Sequence, residues 1–328
     1  MIRSQFLAND GSVKMDLSRS QLKKALDDKN GVLWLDVMNE AQDETRALFS
    51  EVFQFHPLAI DDALVQVHVP KIDDWGDYVY LTLHSMTFNQ ERDDLLETQE
   101  LDIFLGPHYL VTYRDQVCDC VDQVWAHCQR DERTAQRGAA NLLYQVMEAM
   151  ANSYMLIIDR LDDTLEKIEH EIFGDPKSTV LEFLFTTKRS LLTLRRILTP
   201  QREVVNKLAR GDFGVVTPKD RSYFRDVYDH YVRLHDISEN MRDLVGGALE
   251  TYLSVVNNRL NDVMKTLTII TTIFMPISFI AGFFGMNFFP TPKGLADFTS
   301  PGTFILVSLL ILAAPVSMFL WLRSRKWI

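Results

Sequence analysis

Residues 266–284 read TLTIITTIFMPISFIAGFF, nineteen consecutive positions without a charged side chain. At about 1.5 Å of rise per residue they make about 28 Å of helix, enough for a hydrocarbon core of ~30 Å. A second uncharged run, TFILVSLLILAAPVSMFLWL, occupies 303–322. Both are predicted to be transmembrane helices. The competing interpretation, a buried helical hairpin of a soluble protein, is opposed by their length and by the exclusion of charge. Arg259 and Lys265 precede the first run, and Arg323, Arg325 and Lys326 follow the second. The connecting stretch, 285–302, holds only Lys293 and Asp297. Positive charge collects on the cytoplasmic side, so both termini are expected in the cytoplasm and the short loop outside. Trp321 and Trp327 then flank the inner exit, where amphipathic rings settle.

Outward from these runs the composition changes. Of 328 residues, 34 are Lys or Arg and 45 Asp or Glu, for a net charge of −11. The last 63 residues sum to +3, so the preceding part carries more than the whole of the net negative charge. An acidic body without a Lys/Arg block excludes phosphate-backbone binding as the main activity and suits metal cations as partners. Neither apolar run contains an ionisable side chain, which leaves a proton relay or carboxylate-coupled pump without its residues. No Ser/His/Asp arrangement, Walker sequence or glycine-rich phosphate loop supports catalysis, so an enzyme is not expected. Cys118, Cys120 and Cys128 are too few for a disulfide framework and fit a reducing cytosol. With His127 they suggest a soft-metal site, opposed by the divergent directions of positions i and i+2 on a helix. The first ten residues hold no apolar stretch long enough for a signal-peptide core, and the first 265 are not expected to cross a membrane.

The N-terminal part, 1–135, mixes strand and helix signals. VLWLDV (32–37), YVYLTL (78–83), LDIFL (101–105) and YLVTY (109–113) are β-branched or aromatic runs, and Gly106-Pro107 links the last two as a hairpin. A small α+β domain results, with no other pairing legible. From about Asn141 the chain turns helical to Phe173, breaks at Gly174-Asp175-Pro176 with Pro176 as a first-turn proline, and resumes to about Arg210 as an antiparallel partner. Six acids of the first helix, from Asp159 to Glu171, form by default a solvated face, and a cation-attracting surface is the alternative.

From Tyr223 to Phe284 proline is absent until Pro276. Apolar residues recur at Phe224, Val227, Tyr231, Leu234, Ile237, Met241, Leu244 and Ala248, which predicts one long helix continuing into the first span. Its 62 residues would reach roughly 93 Å, too long for a compact monomer and explicable by a symmetric oligomer. One face of the span is small or polar: Asn261, Met264, Thr268, Thr271, Met275, Ser278 and Gly282, with gaps alternating between three and four. Such a seam suits either close helix packing or a water-accessible lining. Pro276 also frees the carbonyl of Thr272, tolerable where it meets water or ions.

The span runs into Gly285-Met286-Asn287, and the stretch 261–287 resembles the pore helix of the CorA family of magnesium and cobalt channels. The resemblance extends to YFRDVYDH (223–230), HPLAIDD (56–62) and the basic tail 323–328, and so covers most of the chain. It implies a funnel-shaped homopentamer: the α+β domain at 1–135, a helical hairpin at 136–220, a stalk helix at 221–265, the pore helix at 266–287, an outer loop at 288–302, the second span at 303–322 and the basic tail. By the same resemblance Gly285, Met286 and Asn287 form the selectivity filter at the outer mouth. The pore is lined by Asn261, Met264, Leu267, Met275, Ser278 and Gly282, with Thr268 and Thr271 belonging to the seam found above. A basic collar comprises Lys265, Arg323, Arg325 and Lys326, whose alternative role is ordinary membrane anchoring. A regulatory metal site pairs Asp62 with Asp226 of the next subunit, and a weaker one lies near Asp61 and Glu148; capping or solvent-exposed acids are the other reading of these residues. Two departures stand out: the outer loop lacks the glutamates common after the motif and carries Lys293 instead, and Cys118, Cys120, His127 and Cys128 form the soft-metal candidate weighed above.

The function so implied is influx of Mg²⁺, with Co²⁺ or Ni²⁺ also accepted, closed by cytosolic Mg²⁺. Met286 favours the magnesium branch over zinc-transporting relatives with altered motifs. A zinc or other transition-metal transporter on the same scaffold, perhaps proton-coupled, is the second reading, and a membrane-anchored sensor without transport is the third.

Overall fold

A computed structural model describes residues 1–65, 69–88, 96–131, 137–174, 178–285, 301–325 and 327. The chain divides into two compact units, Met1–Leu249 and Glu250–Ile328.

The first unit is built on a seven-stranded sheet. Strands β1 (Ile2–Leu7), β2 (Val13–Met15), β3 (Val32–Met38), β4 (Lys71–Asp74), β5 (Val79–Phe88), β6 (Leu96–Leu105) and β7 (Tyr109–Arg114) lie in the order β2-β1-β3-β7-β6-β5-β4. All neighbours are antiparallel except β3 and β7, which run parallel with Leu35 opposite Val111. The expected hairpin is present, with Leu105 opposite Leu110. Glycine is required at its turn, because a Cβ on Gly106 would stand 2.3 Å from the Tyr109 ring.

Side chains alternate across the sheet as strand geometry demands. Leu33, Leu35 and Val37 with Val111 and Tyr113 join the core packed by α1 (Arg19–Asp27), α2 (Gln42–Glu51) and α3 (Pro57–Leu64). Trp34 and Thr112 fall on the other face. There the Trp34 indole N–H donates to Thr112 Oγ1 at 3.2 Å and its ring meets Trp125 of α4 (Asp119–Arg130) edge-on at 4.8 Å.

Helices α5 (Ala139–Phe173) and α6 (Ser178–Arg210) follow. Buried residues of α5 recur at Val146, Met150, Tyr154, Ile157, Leu161, Leu165, Ile168 and Ile172, the three-and-four spacing that places them on one face. The six acids from Asp159 to Glu171 are all exposed, as a solvated face requires. Pro176 lies outside the described residues, whereas α6 continues through Pro200. After α6, Gly211 adopts φ +73° and its N–H returns to the Leu208 carbonyl, a left-handed helix stop.

Gln201, fully buried, joins four elements. Its Oε1 accepts from His84 N at 3.0 Å, and its Nε2 donates to Tyr154 Oη at 3.0 Å and Tyr231 Oη at 2.8 Å. The Tyr154 hydroxyl in turn donates to the His84 carbonyl. Gln201→Ala strands the His84 N–H in an apolar interior, so it is expected to cost about 1–3 kcal/mol, read from thermal or denaturant unfolding.

Helix α7, Arg221–Phe284, is one element of 64 residues. Its buried positions are Phe224, Val227, Tyr231, Leu234, Ser238, Met241, Val245 and Ala248, a strict alternation of three and four. Ser238 and Val245 therefore take places that hydrophobicity alone assigns to Ile237 and Leu244, and Leu244 is left exposed. The phase of the heptad wins over side-chain type, because a one-residue step turns a helix by about 100°.

The second unit contains the end of α7 and helix α8, Pro301–Ser324. No residue in the most apolar stretch of α7 is buried. A soluble hairpin core would bury that stretch, so the exposure fits a lipid or oligomer environment. Half-buried positions of the uncharged stretch of α7 fall at Ile269, Thr272, Ile273, Pro276, Ile277 and Ile280, and those of α8 at Thr303, Val307, Ile311, Ala314, Pro315 and Met318. Each set lies on one helix face.

Candidate ion pathway and cation sites

On α7 the seam residues Asn261, Met264, Leu267, Thr268, Thr271, Met275, Ser278 and Gly282 are all exposed within the chain. Taking about 100° per residue, the seam centres about 150° round the helix from the half-buried isoleucine face. The surface that this chain covers by itself is thus a different one. The Thr268 hydroxyl donates to the Met264 carbonyl and that of Thr271 to the Leu267 carbonyl, both at 2.7 Å. Those bonds use the hydroxyl hydrogens and leave oxygen lone pairs and methyl groups to the surface, a lining that accepts hydrogen bonds from water. Pro276 sits within the helix, where it removes one backbone donor. Gly285 closes the helix, its N–H bonded to the Ala281 carbonyl at 2.9 Å. Met286 and Asn287 lie outside the described residues, as do Lys293, Asp297 and Lys326.

At the basic end of the seam, Lys265, Arg323 and Arg325 are exposed. Trp327 does more than anchor an interface. Together with Asn261, Met264, Lys265 and Thr268 it walls a cavity of 420 Å³, and its N–H caps the Leu322 carbonyl at 3.0 Å. Spacing along the sequence gives no hint of this return, since the tail comes back on the other helix of the pair.

The four carboxylates implied as regulatory ligands occupy the first unit. Asp62, on α3, accepts from Lys71 Nζ at 2.5 Å, and the same ammonium stands 3.2 Å from Asp73. Burial would lower the Lys71 pKa, but its hydrogen bonds to Asp62 and Asp73 outweigh it and raise the value. Asp61 pairs with Arg46 at 2.6 Å. Asp226 is exposed on α7, and Glu148 of α5 keeps Oε2 buried. Between these two stands Tyr144, whose hydroxyl is driven upward first by burial and then by hydrogen bonding to Glu148 and Asp226. The single chain thus brings Glu148 and Asp226 to one tyrosine and supplies Asp61 and Asp62 with protein cations. Among the described residues no three His, Cys, Asp or Glu side chains converge as a metal cage.

Cys118 is the residue capping α4, with φ −121° and ψ 107°, so the helical i, i+2 divergence does not apply, and its Sγ lies 2.7 Å from Cys120 Sγ. The Cys120 hydrogen bond, with smaller help from Arg114, brings the Cys118 thiol down to about 7 despite burial. His127 and Cys128 do not complete a metal cluster with them.

The model of the CorA-like Mg²⁺ transporter protein family matches residues 29–325, and the chain belongs to that family. It is a membrane transporter of divalent cations with a soluble N-terminal part and two C-terminal spans. The cobalt/magnesium transport protein CorA of Thermotoga maritima is 30% identical over 302 residues, covering 92% of this chain and 85% of that one. The zinc transport protein ZntB of Yersinia pseudotuberculosis is 23% identical over 266 residues, 79% of this chain and 77% of its own. The fold matches that of the complete CorA magnesium transporter from Methanocaldococcus jannaschii with a TM-score of 0.84 at 23% identity, over 100% of this chain and 99% of the other.

Proposed function

We propose that the chain assembles as a homopentamer and conducts Mg²⁺, with Co²⁺ and Ni²⁺ also accepted, inward across the cell membrane. Both termini are cytoplasmic, and cytosolic Mg²⁺ closes the channel. The observation that carries this reading is the seam of α7. It alternates small or polar positions with Met264, Leu267 and Met275, is exposed within the chain, and is set away from the half-buried face of its own helix. Five such seams around an axis make a conduit in which Asn261, Thr268, Thr271 and Ser278 contact water, while Met264, Leu267 and Met275 form apolar constrictions that gate by dewetting. Asn287, with Gly285 and Met286, presents amide oxygens to an ion that keeps its first water shell, as Mg²⁺ prefers.

Closure follows from differential binding. Asp62 of one subunit and Asp226 of the next repel when empty and attract around a divalent ion, with Asp61 and Glu148 forming a weaker second position. Lys71 competes for Asp62. Lys71→Met is therefore expected to lower the cytosolic Mg²⁺ concentration needed for half-closure severalfold, consistent with about 0.2–1 kcal/mol for a partly exposed ion pair. A flux titration against internal Mg²⁺ checks this; an unchanged midpoint would remove Lys71 from the switch.

The zinc reading has its support in the ZntB relative. Flux into liposomes with competing Mg²⁺ and Zn²⁺, with and without a pH gradient, separates the two. The magnesium reading expects Mg²⁺ entry that is indifferent to the gradient, and Zn²⁺ entry driven by protons would replace it.

A further inference from the structure

Helix α4 begins at a pair of thiols that the ion path does not use. Cys118 caps the helix with extended backbone, and Asp119 is its first helical residue. A single helical residue between two Cα atoms sets them about 5.4 Å apart, within the range that a disulfide spans. The two side chains turn toward each other. Their sulfurs stand 2.7 Å apart, so a bond of about 2.05 Å closes with a shift of less than about 1 Å.

We propose that Cys118 and Cys120 form a peroxide-oxidisable dithiol that closes reversibly to a disulfide within the chain, Cys118 attacking and Cys120 resolving.

The surroundings divide these roles. Cys118 stands at the N-terminus of α4, where the positive end of the helix favours a thiolate. The hydrogen bond from Cys120 brings its pKa down to about 7 despite burial, with smaller contributions from Ser85 and Arg114. The Arg114 guanidinium also donates to the Cys118 carbonyl at 3.4 Å. A thiol that ionises near ambient pH is the best attacking group. Cys120 is shifted the other way by the same hydrogen bond and by burial, so it keeps its proton. Cys128 is fully buried, which pushes its thiol up to about 11, and it takes no part.

Cys118 and Cys120 are 2% and 4% exposed, which excludes bulky or charged reagents. Hydrogen peroxide is neutral and little larger than water. Gln116, Val117 and Asp119 bring the chain to the surface on both sides of Cys118. The Cys118 thiolate attacks one peroxide oxygen and the O–O bond breaks, leaving a sulfenic acid and a hydroxide that takes up a proton as water. The Cys120 sulfur then attacks the Cys118 sulfur. The S–S bond forms, the S–O bond breaks, and the departing hydroxide leaves as water with the Cys120 proton. The two thiols lose two electrons in all, and the peroxide gains them. The bridge forms beside the junction centred on Gln201: after burial and Tyr231, Cys120 and Cys118 both act on the Tyr154 hydroxyl and push it upward. The inference does not depend on what the channel conducts.

Purified full-length protein in detergent, freed of reductant, is treated with hydrogen peroxide, quenched with catalase, denatured and labelled with iodoacetamide. Intact mass then counts the free thiols. The untreated chain should carry labels on all three cysteines, the oxidised chain on Cys128 alone, and reductant should restore the other two. Peptide mapping should show Cys118 and Cys120 in one peptide lacking two hydrogens. Cys118→Ser should keep its two remaining labels through the peroxide step, and Cys128→Ser should lose both. Three labels after peroxide, a loss that reductant does not reverse, or a bridge to Cys128 or to another chain overturns the proposal. The unsubstituted chain decides the matter even where a variant fails to fold.

Discussion

Asn287→Ala should abolish Mg²⁺ uptake, by about a hundredfold or more, while the protein still assembles with its normal mass. The expectation follows from what an amide at the mouth does. A hexahydrated Mg²⁺ gives up water reluctantly, so recognition acts on the outer surface of its shell, by hydrogen bonds from bound water to amide oxygens. In the proposed pentamer five such oxygens surround the ion, and at about 0.5–1.5 kcal/mol for each bond their joint loss exceeds the 1.4 kcal/mol that makes a factor of ten. Alanine keeps the backbone and removes the acceptors. Growth of a magnesium-auxotrophic strain reports uptake, and light scattering of the purified protein reports assembly. Full rescue by a correctly assembled variant would reject Asn287 as the selecting residue.

A second large effect is expected in the sheet of the first unit. Arg114 at the end of β7 is 2% exposed and Asp36 of β3 is 1% exposed. The guanidinium holds Asp36 Oδ2 at 2.9 Å and Asp122 Oδ1 at 2.7 Å, and Arg3 binds the same two acids at 2.9 and 2.5 Å while stacking 4.3 Å over the Trp125 ring. Two arginines and two aspartates thus balance inside the unit. Arg114→Met leaves Asp36 buried with half its compensation, and breaking one side of a buried pair costs about 3–5 kcal/mol. For a unit of this size that is a fall in melting temperature of about 10 °C. Calorimetry of the purified chain measures it, and a fall of only a degree or two would show that Arg3 alone suffices.

That network also shows what the sequence conceals. The spans are legible because nineteen uncharged positions in a row have few other physical explanations. The β6–β7 hairpin is legible from Gly106-Pro107, and α5 and α6 from their spacing and the glycine at 174. By contrast, Ile2–Leu7 is too polar to announce a strand, and the parallel partnership of β3 with β7 is set by contacts across more than seventy residues. Arg114 reads as an ordinary strand-end charge until Asp36 and Asp122 arrive from two other elements. The same holds at the candidate cation sites. The α7 seam appears as a periodic pattern within one helix, so spacing alone reveals it. The hold of Lys71 on Asp62, the meeting of Glu148 and Asp226 at Tyr144, and the return of Trp327 beside Asn261 all depend on separate elements coming together. Cys118 shows a local version of this limit, because its distance from Cys120 turns on whether it lies in α4 or caps it.

Water access to the α7 seam is the point on which the proposed conduit depends. Cysteine placed at Ser278 or at its neighbour Phe279, which is 72% exposed within the chain, can be treated with a water-soluble cationic thiol reagent during liposome flux. The three native cysteines are buried, which leaves the introduced thiol as the accessible target. Ser278→Cys should be modified and its Mg²⁺ flux blocked, whereas Phe279→Cys should be neither modified nor blocked. Rapid modification at 279 with protection at 278 would place the seam in a dry helix contact and contradict the conduit.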